Sequence, residues 1–223
     1  MIIDDVKNIC VIGSGTMGSQ IAMQCALHGY NVSLNDVDGT LLTRAIEQNK
    51  GHLQRRVEKQ VMTEEQVQEA LERITCTTDL VKAASDADFV IEAVVEKLEI
   101  KRDVFSKLDR ICPDHTIFAT NSSYLGNSLI ASATHRADRV VNMHFFHPVL
   151  VMKLVEVVQG EQTSEETMRV TVELAQKMAK VPVTIKKELP GFLVNRILMA
   201  IRREAFSLLE QGVASFEDID TAC

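Results

Sequence analysis

No apolar run in the chain is long enough for a signal sequence or a membrane span: residues 1–7 carry two aspartates, and the run at 9–12 is far too short. A cytosolic address is the default expectation. The five cysteines, Cys10, Cys25, Cys76, Cys112 and Cys223, stand singly, with no CxxC pair and no histidine cluster nearby. Neither a disulfide framework nor a metal site is signalled, and most of these thiols are expected to be small buried hydrophobes. Basic charge is in short supply: 24 Lys and Arg against 31 Asp and Glu leave a net charge of -7. Such a balance gives no general attraction to nucleic acid or anionic lipid, so an anionic ligand must be captured locally by a helix amino end or a few placed cations. Proline (4) and glycine (10) are not in excess, and neither low-complexity sequence nor an internal repeat argues against a folded chain.

What is present reads as α/β. At 223 residues the chain exceeds one average domain. Short β-branched apolar runs at 8–12, 31–35, 88–93, 116–120 and 139–144 alternate with longer stretches of helical period, and 154–158 and 181–185 are further strand candidates. Between the first two strands, 16–29 places Met17, Ile21, Met23 and Leu27 at apolar positions and ends on Gly29. A long amphipathic helix is predicted at 39–60, and Thr63 followed by Glu64, Glu65 and Gln66 caps another through Glu72. Ser164, with Thr167 three residues on, opens a helix between the last two strands. Strand alternating with helix predicts a parallel, doubly wound Rossmann-type sheet with ligand residues just after the strands. Beyond Pro190 the period becomes helical throughout, over 191–212 and again from Ser215. The expected division is therefore a dinucleotide-binding domain at 1–188 and the beginning of an all-α domain at 189–223. A chain ending about one turn into a new helix leaves apolar faces without a partner, so the helical part is expected to be cut short and a partner surface missing.

Gly13-Ser14-Gly15-Thr16-Met17-Gly18 lies between a predicted strand and a predicted helix. In that setting Gly13 permits the tight turn, Gly15 lets a pyrophosphate approach the backbone, and Gly18 lets helix and strand pack closely, with the helix amino end supplying donors. The second strand runs into Asp36, eighteen residues after Gly18, close to the spacing of an acid that binds the adenosine ribose diol. Its charge would repel a 2'-phosphate and no arginine stands beside it, so NAD is expected rather than NADP. The bland alternative is a glycine-rich turn with a solvated acid.

The blocks Asn121-Ser122-Ser123, His144-Phe145-Phe146-His147-Pro148, Met152-Lys153-Leu154-Val155-Glu156 and Pro190-Gly191-Phe192-Leu193-Val194-Asn195-Arg196, with the tail Glu210-Gln211-Gly212, resemble the L-3-hydroxyacyl-CoA dehydrogenase family. The resemblance covers the whole chain. It implies an NAD-dependent oxidoreductase of fatty-acid metabolism acting on acyl-CoA, and a homodimer formed through the helical domain.

Oxidising a secondary alcohol needs a base to take the hydroxyl proton while a hydride leaves the same carbon. His144, ending a predicted strand on the crevice side, is the candidate, since histidine exchanges protons near neutral pH. Glu156, twelve residues on, could accept a hydrogen bond from the imidazole, and the family uses it so. A lone histidine at a strand end is more often a packing residue, and an acid between two valines can be a plain solvent-facing one. The resemblance further implies that Ser123 and Asn195 polarise the reacting oxygen and that Glu96 and Lys101 serve the nicotinamide ribose and nearby phosphate, with Asn121 alongside. The bland reading of Glu96 and Lys101 is a helix-face ion pair. Lys59, Arg55 and Arg56 are the candidate cluster for coenzyme A phosphates, although charged faces of long helices are usually just solvated. One departure stands out: His147 occupies the position of an asparagine in the family motif, which predicts altered substrate selection. Two other functions remain open on this sequence, a dehydrogenase of free hydroxy acids and a non-catalytic dinucleotide binder.

Overall fold

The computed structural model describes residues 1–222. One mixed sheet of eight strands organises the chain in the order β3-β2-β1-β4-β5-β6-β7-β8. β1 (Asn8–Ile12), β2 (Asn31–Asn35), β3 (Ile74–Thr77), β4 (Phe89–Glu92), β5 (Ile117–Thr120) and β6 (Val140–Phe145) are parallel, as expected of runs buried on both faces. Beyond them β7 (Leu154–Val158) turns antiparallel to β6, and β8 (Val181–Ile185) is parallel to β7. That reversal corrects the expectation of a purely parallel sheet: no helix separates β6 from β7, so the chain returns by a loop instead of a crossover.

Alternation along the strands sends Ile9, Val11, Phe89, Ile91, Val141 and Met143 to one face and Cys10, Ile12, Val90, Phe118 and Val140 to the other. The first face is covered by α1 (Thr16–Leu27) and α7 (Glu165–Lys177), and α2 (Gly39–Glu58) and α3 (Glu64–Glu72) pack outside α1. The second is covered by the short α4 (Leu80–Ala84), α5 (Leu98–Ile111) and α6 (Asn127–Ala131). Local chemistry fixes the ends. Thr63 and Gln66 form a reciprocal capping box on α3, and Ser164 accepts from the Thr167 amide at the start of α7. β3 and the helices α4, α5 and α6 have no stated bounds among the elements expected from sequence. Three of the described cysteines are buried; Cys76, on β3, is exposed, and Cys223 lies outside the described residues.

α8 (Val194–Glu210) and α9 (Phe216–Ala222) follow β8. α8 buries no residue, and Ile197, Met199, Ile201 and Phe206 all lie open, Phe206 at 64% exposure.

Candidate active site

The carboxyl ends of β1, β4, β5 and β6 bring the candidate residues together. Between β1 and α1, Gly13 has φ 95° and lies so near β4 that a Cβ would meet Ala93 O at 2.7 Å; a Cβ on Gly18 would meet Gly13 O at 1.8 Å. At Gly15 nothing stands within 4 Å, and no side chain caps the amino end of α1. The loop is thus closed on its inner side and open outward, with free amides at a positive helix end: a cradle for a pyrophosphate, with Thr16 and Met17 opening the helix. Asp36 follows β2 and reaches back to this loop, its Oδ2 accepting from Ser14 N at 2.7 Å and Ser14 Oγ at 2.8 Å. These residues fit NAD.

Next to the loop, a ring of buried polar groups supports the turn after β5. Glu92, fully buried at the end of β4, accepts from Lys101 Nζ at 2.7 Å, Val94 N at 2.7 Å and Thr120 Oγ1 at 2.7 Å. Lys101 also pairs with Glu96 at 3.2 Å, and Glu96 accepts from the Ser122 hydroxyl, from Ser123 N at 3.1 Å and from Tyr124 N at 3.2 Å. Burial raises the Glu96 carboxyl, but the Ser122 hydroxyl and the Lys101 ammonium outweigh it and hold the group below the ordinary glutamate range. Lys101 is only 1% exposed, and its partners are the two glutamates. The pairing exceeds a helix-face ion pair because the lysine is sealed in the core. Asn121 Oδ1 accepts from Phe145 N at 2.9 Å, tying the ends of β5 and β6 together.

His144 and Glu156 face each other across β6 and β7 as a register pair, with Nδ1 and Oε2 at 2.9 Å. His144 is 5% exposed, packed against the rings of Phe146 and Phe192, and Glu156 is 1% exposed. An ionised carboxylate accepts the Nδ1 proton, which leaves Nε2 as the exchanging nitrogen. The second oxygen of Glu156 accepts from Leu193 N and Val194 N, both at 3.0 Å, where α8 begins. Burial pushes this carboxyl up, yet the His144 hydrogen bond and those two amides prevail and keep it below the ordinary value. Asn195 lies in the same first turn of α8, near Gly191 and Tyr124, and Ser123 heads the turn that Glu96 holds.

His147 opens onto a cavity of about 410 Å³ that it shares with Thr16, Gln20, Gln48, His52 and Arg55. Of the proposed basic cluster only Arg55 reaches this cavity; Lys59 ends α2, and Arg56 acts on a different group, Lys180. His52 and Glu92 are absent from the sequence reading. Glu92 carried one signal, a lone acid closing an otherwise apolar buried strand; His52 carried none beyond lying one turn from Arg55.

The chain that carries this site has counterparts among known proteins. Residues 8–189 match the NAD-binding domain of 3-hydroxyacyl-CoA dehydrogenase, and residues 191–223 its C-terminal domain. The chain belongs to the 3-hydroxyacyl-CoA dehydrogenase family. Within this family it is 43% identical to a probable 3-hydroxybutyryl-CoA dehydrogenase of Bacillus subtilis, over 97% of this chain and 75% of that one. It is 42% identical to the human mitochondrial hydroxyacyl-coenzyme A dehydrogenase, over 97% of this chain and 70% of the relative. The crystal structure of the Ralstonia eutropha (S)-3-hydroxybutyryl-CoA dehydrogenase superposes with a TM-score of 0.92 at 37% identity, covering 96% of this chain and 75% of that one. Family membership fixes the class of chemistry as NAD-dependent oxidoreduction.

Proposed function

We propose that this chain interconverts a 3-hydroxyacyl-CoA and its 3-ketoacyl-CoA, with His144 as general base in oxidation and general acid in reduction. The single observation that carries the reading is the buried His144–Glu156 pair at the strand ends beside the glycine loop. NAD supplies the electron sink for the hydride when bound at Gly13, Gly15, Gly18 and Asp36. His144 Nε2 takes the C3 hydroxyl proton as the carbonyl forms, and returns it when the ketone is reduced. Glu156, held ionised, fixes the tautomer and balances the imidazolium. Ser123 and Asn195 donate to the reacting oxygen, where negative charge grows during reduction. Glu96 and Lys101 keep Ser123 in register through the 122–124 backbone, and His147, His52 and Arg55 line the route for the thioester arm. The other two functions weighed for this sequence have no observation in their favour.

The subunit arrangement proposed is a homodimer through the open apolar side of α8. Such a face is too large to be left in water without cost. Sedimentation of the purified chain at rising concentration is expected to reveal a concentration-dependent increase in mass, and a constant monomer mass counts against the arrangement.

Following NADH absorbance with acetoacetyl-CoA tests the activity. His144→Ala is expected to lose roughly 10²- to 10⁴-fold in kcat, the usual yield of one acid-base group, with NADH affinity retained. Equal turnover in both proteins would refute His144, and NADH binding without turnover in the unmodified protein would refute the activity.

A further inference from the structure

Lys180 stands in the corner between α7 and β8 and is 7% exposed. Its Nζ donates to the carbonyl oxygen of Val149 and, at 2.9 Å, to that of Met152. Among the described residues no carboxylate figures among its partners; the charged and titratable groups that face it are Arg56 from α2 and the Cys25 thiol from α1, the latter engaged with Met178 Sδ at 3.4 Å. Burial, and then repulsion from Arg56, lower the ammonium from the ordinary lysine value to about 8. A buried cation without a counter-charge is costly to keep, and backbone carbonyls are all it receives in return.

Those carbonyls belong to the segment 146–153, which joins the strand of His144 to the strand of Glu156 and carries His147. Val149 and Leu150 anchor the segment in the core by their side chains, while its remaining backbone bonds are mostly local. Val151 N and Met152 N both turn back to Pro148 O, and Leu150 N reaches Gln20 Oε1 on α1 at 3.4 Å. Lys153 O accepts from Val181 N at 2.8 Å, the residue next to Lys180. Lysine is suited to this post because its ammonium is a compact donor of up to three hydrogen bonds and can bridge two carbonyls of one turn.

We infer that Lys180 is a positioning residue that clamps the 146–153 segment through Val149 O and Met152 O and thereby sets His147 for the acyl-CoA substrate. The substrate half of this inference rests on the proposed activity; the clamp itself does not. Lys180→Met removes both donors at nearly constant volume. Backbone amide exchange at Val151 and Met152, and KM for acetoacetyl-CoA, are each expected to rise about tenfold, the loss of one hydrogen bond to a charged group. The value of kcat is expected to change less than about twofold, and NADH affinity to stay as it was, since the substrate loop rather than the cofactor loop is loosened. Lys180→Gln, which keeps one neutral donor, is expected to fall between, and decides by the same criteria if the methionine variant fails to bind NADH. Unchanged exchange in a variant that binds NADH overturns the clamp. Raised exchange with unchanged KM overturns the role in substrate placement, as does a joint fall of kcat and NADH affinity, the mark of a general structural loss. If the unmodified protein does not reduce acetoacetyl-CoA, the proposed activity has failed, while the exchange comparison still decides the clamp.

Discussion

His147 exchanges a small amide for a bulkier titratable ring at the mouth of the cavity shared with His52 and Arg55. On the proposed activity the ring takes more of the space beside the thioester arm than an amide would, and we propose that it selects by acyl size. His147→Asn is expected to broaden the range of acyl lengths accepted, read as a change in the ratio of kcat/KM between acetoacetyl-CoA and a longer 3-ketoacyl-CoA; one methylene in such a site is worth roughly 10-fold or more. An identical ratio in both proteins would remove His147 from substrate selection. At this scale sequence reasoning reached residues whose chemistry is local and missed those whose role depends on what lies beneath them. Gly13, Gly15, Gly18 and Asp36 were legible because a turn, an open helix end and a strand end are set by a few neighbours. Lys101 was assigned only by resemblance, beside the nicotinamide ribose and nearby phosphate; its burial follows from the helix face it shares with Phe105 and Leu108, four and seven residues on, a stripe that marks the buried side of α5. Glu92 depends on Lys101 and Thr120 arriving from two other elements, and no local pattern announces that.

Among the elements, the glycine loop separates folding from binding. Gly18→Ala drives a methyl to 1.8 Å from Gly13 O, so the turn must open, and both thermal stability and NADH binding are expected to fall. Gly15→Ala meets nothing within 4 Å in the protein, so its Tm is expected to hold while NADH affinity drops because the methyl occupies the cradle. Melting curves and NADH fluorescence on the two variants check this, and equal NADH affinity in Gly15→Ala and the unmodified protein would contradict the cradle. Strand positions other than that of β3 were clear in the sequence from β-branched runs; strand direction was not. Leu154–Val158 reads the same whichever way it runs, and only the absence of a helix between Phe145 and Leu154 hinted at the reversal that sets His144 opposite Glu156.

For the molecule as a whole, acid is expected to weaken the fold through the buried Glu156 and the exposed but hydrogen-bonded Glu96. Glu156 and Glu96 both ionise below the ordinary glutamate value of about 4.3. A depressed carboxyl contributes stability that is fully present above that value and is lost as pH falls through the lower, folded one. Tm is therefore expected to drop below about pH 4, more steeply in the unmodified protein than in Glu156→Gln, which has one fewer group to protonate. Parallel curves would mean that Glu156 carries no such share. The change to helical period after Pro190 was legible in the sequence, but what α8 does at its first turn was not. Leu193 and Val194 meet Glu156 across 37 and 38 residues of chain, a contact without local signature.

The two oxygens of Glu156 give α8 and the His144 proton a reciprocal hold on each other. One oxygen serves the imidazole and the other the amides that open the helix, so charge drawn toward either end weakens the grip of the other. Whatever lifts the start of α8 leaves a more basic carboxylate and a more tightly held proton; whatever takes the proton away strengthens the seat of the helix. Val194→Pro deletes one of the two amides and, because a following proline disfavours the αR conformation of Leu193, also loosens the start of α8. The pH of half-maximal oxidation is expected to move upward in that variant, whereas an unmoved profile would uncouple helix from proton. On the proposed mechanism, proton transfer at the strand ends and the seating of α8 are then one equilibrium viewed from two sides.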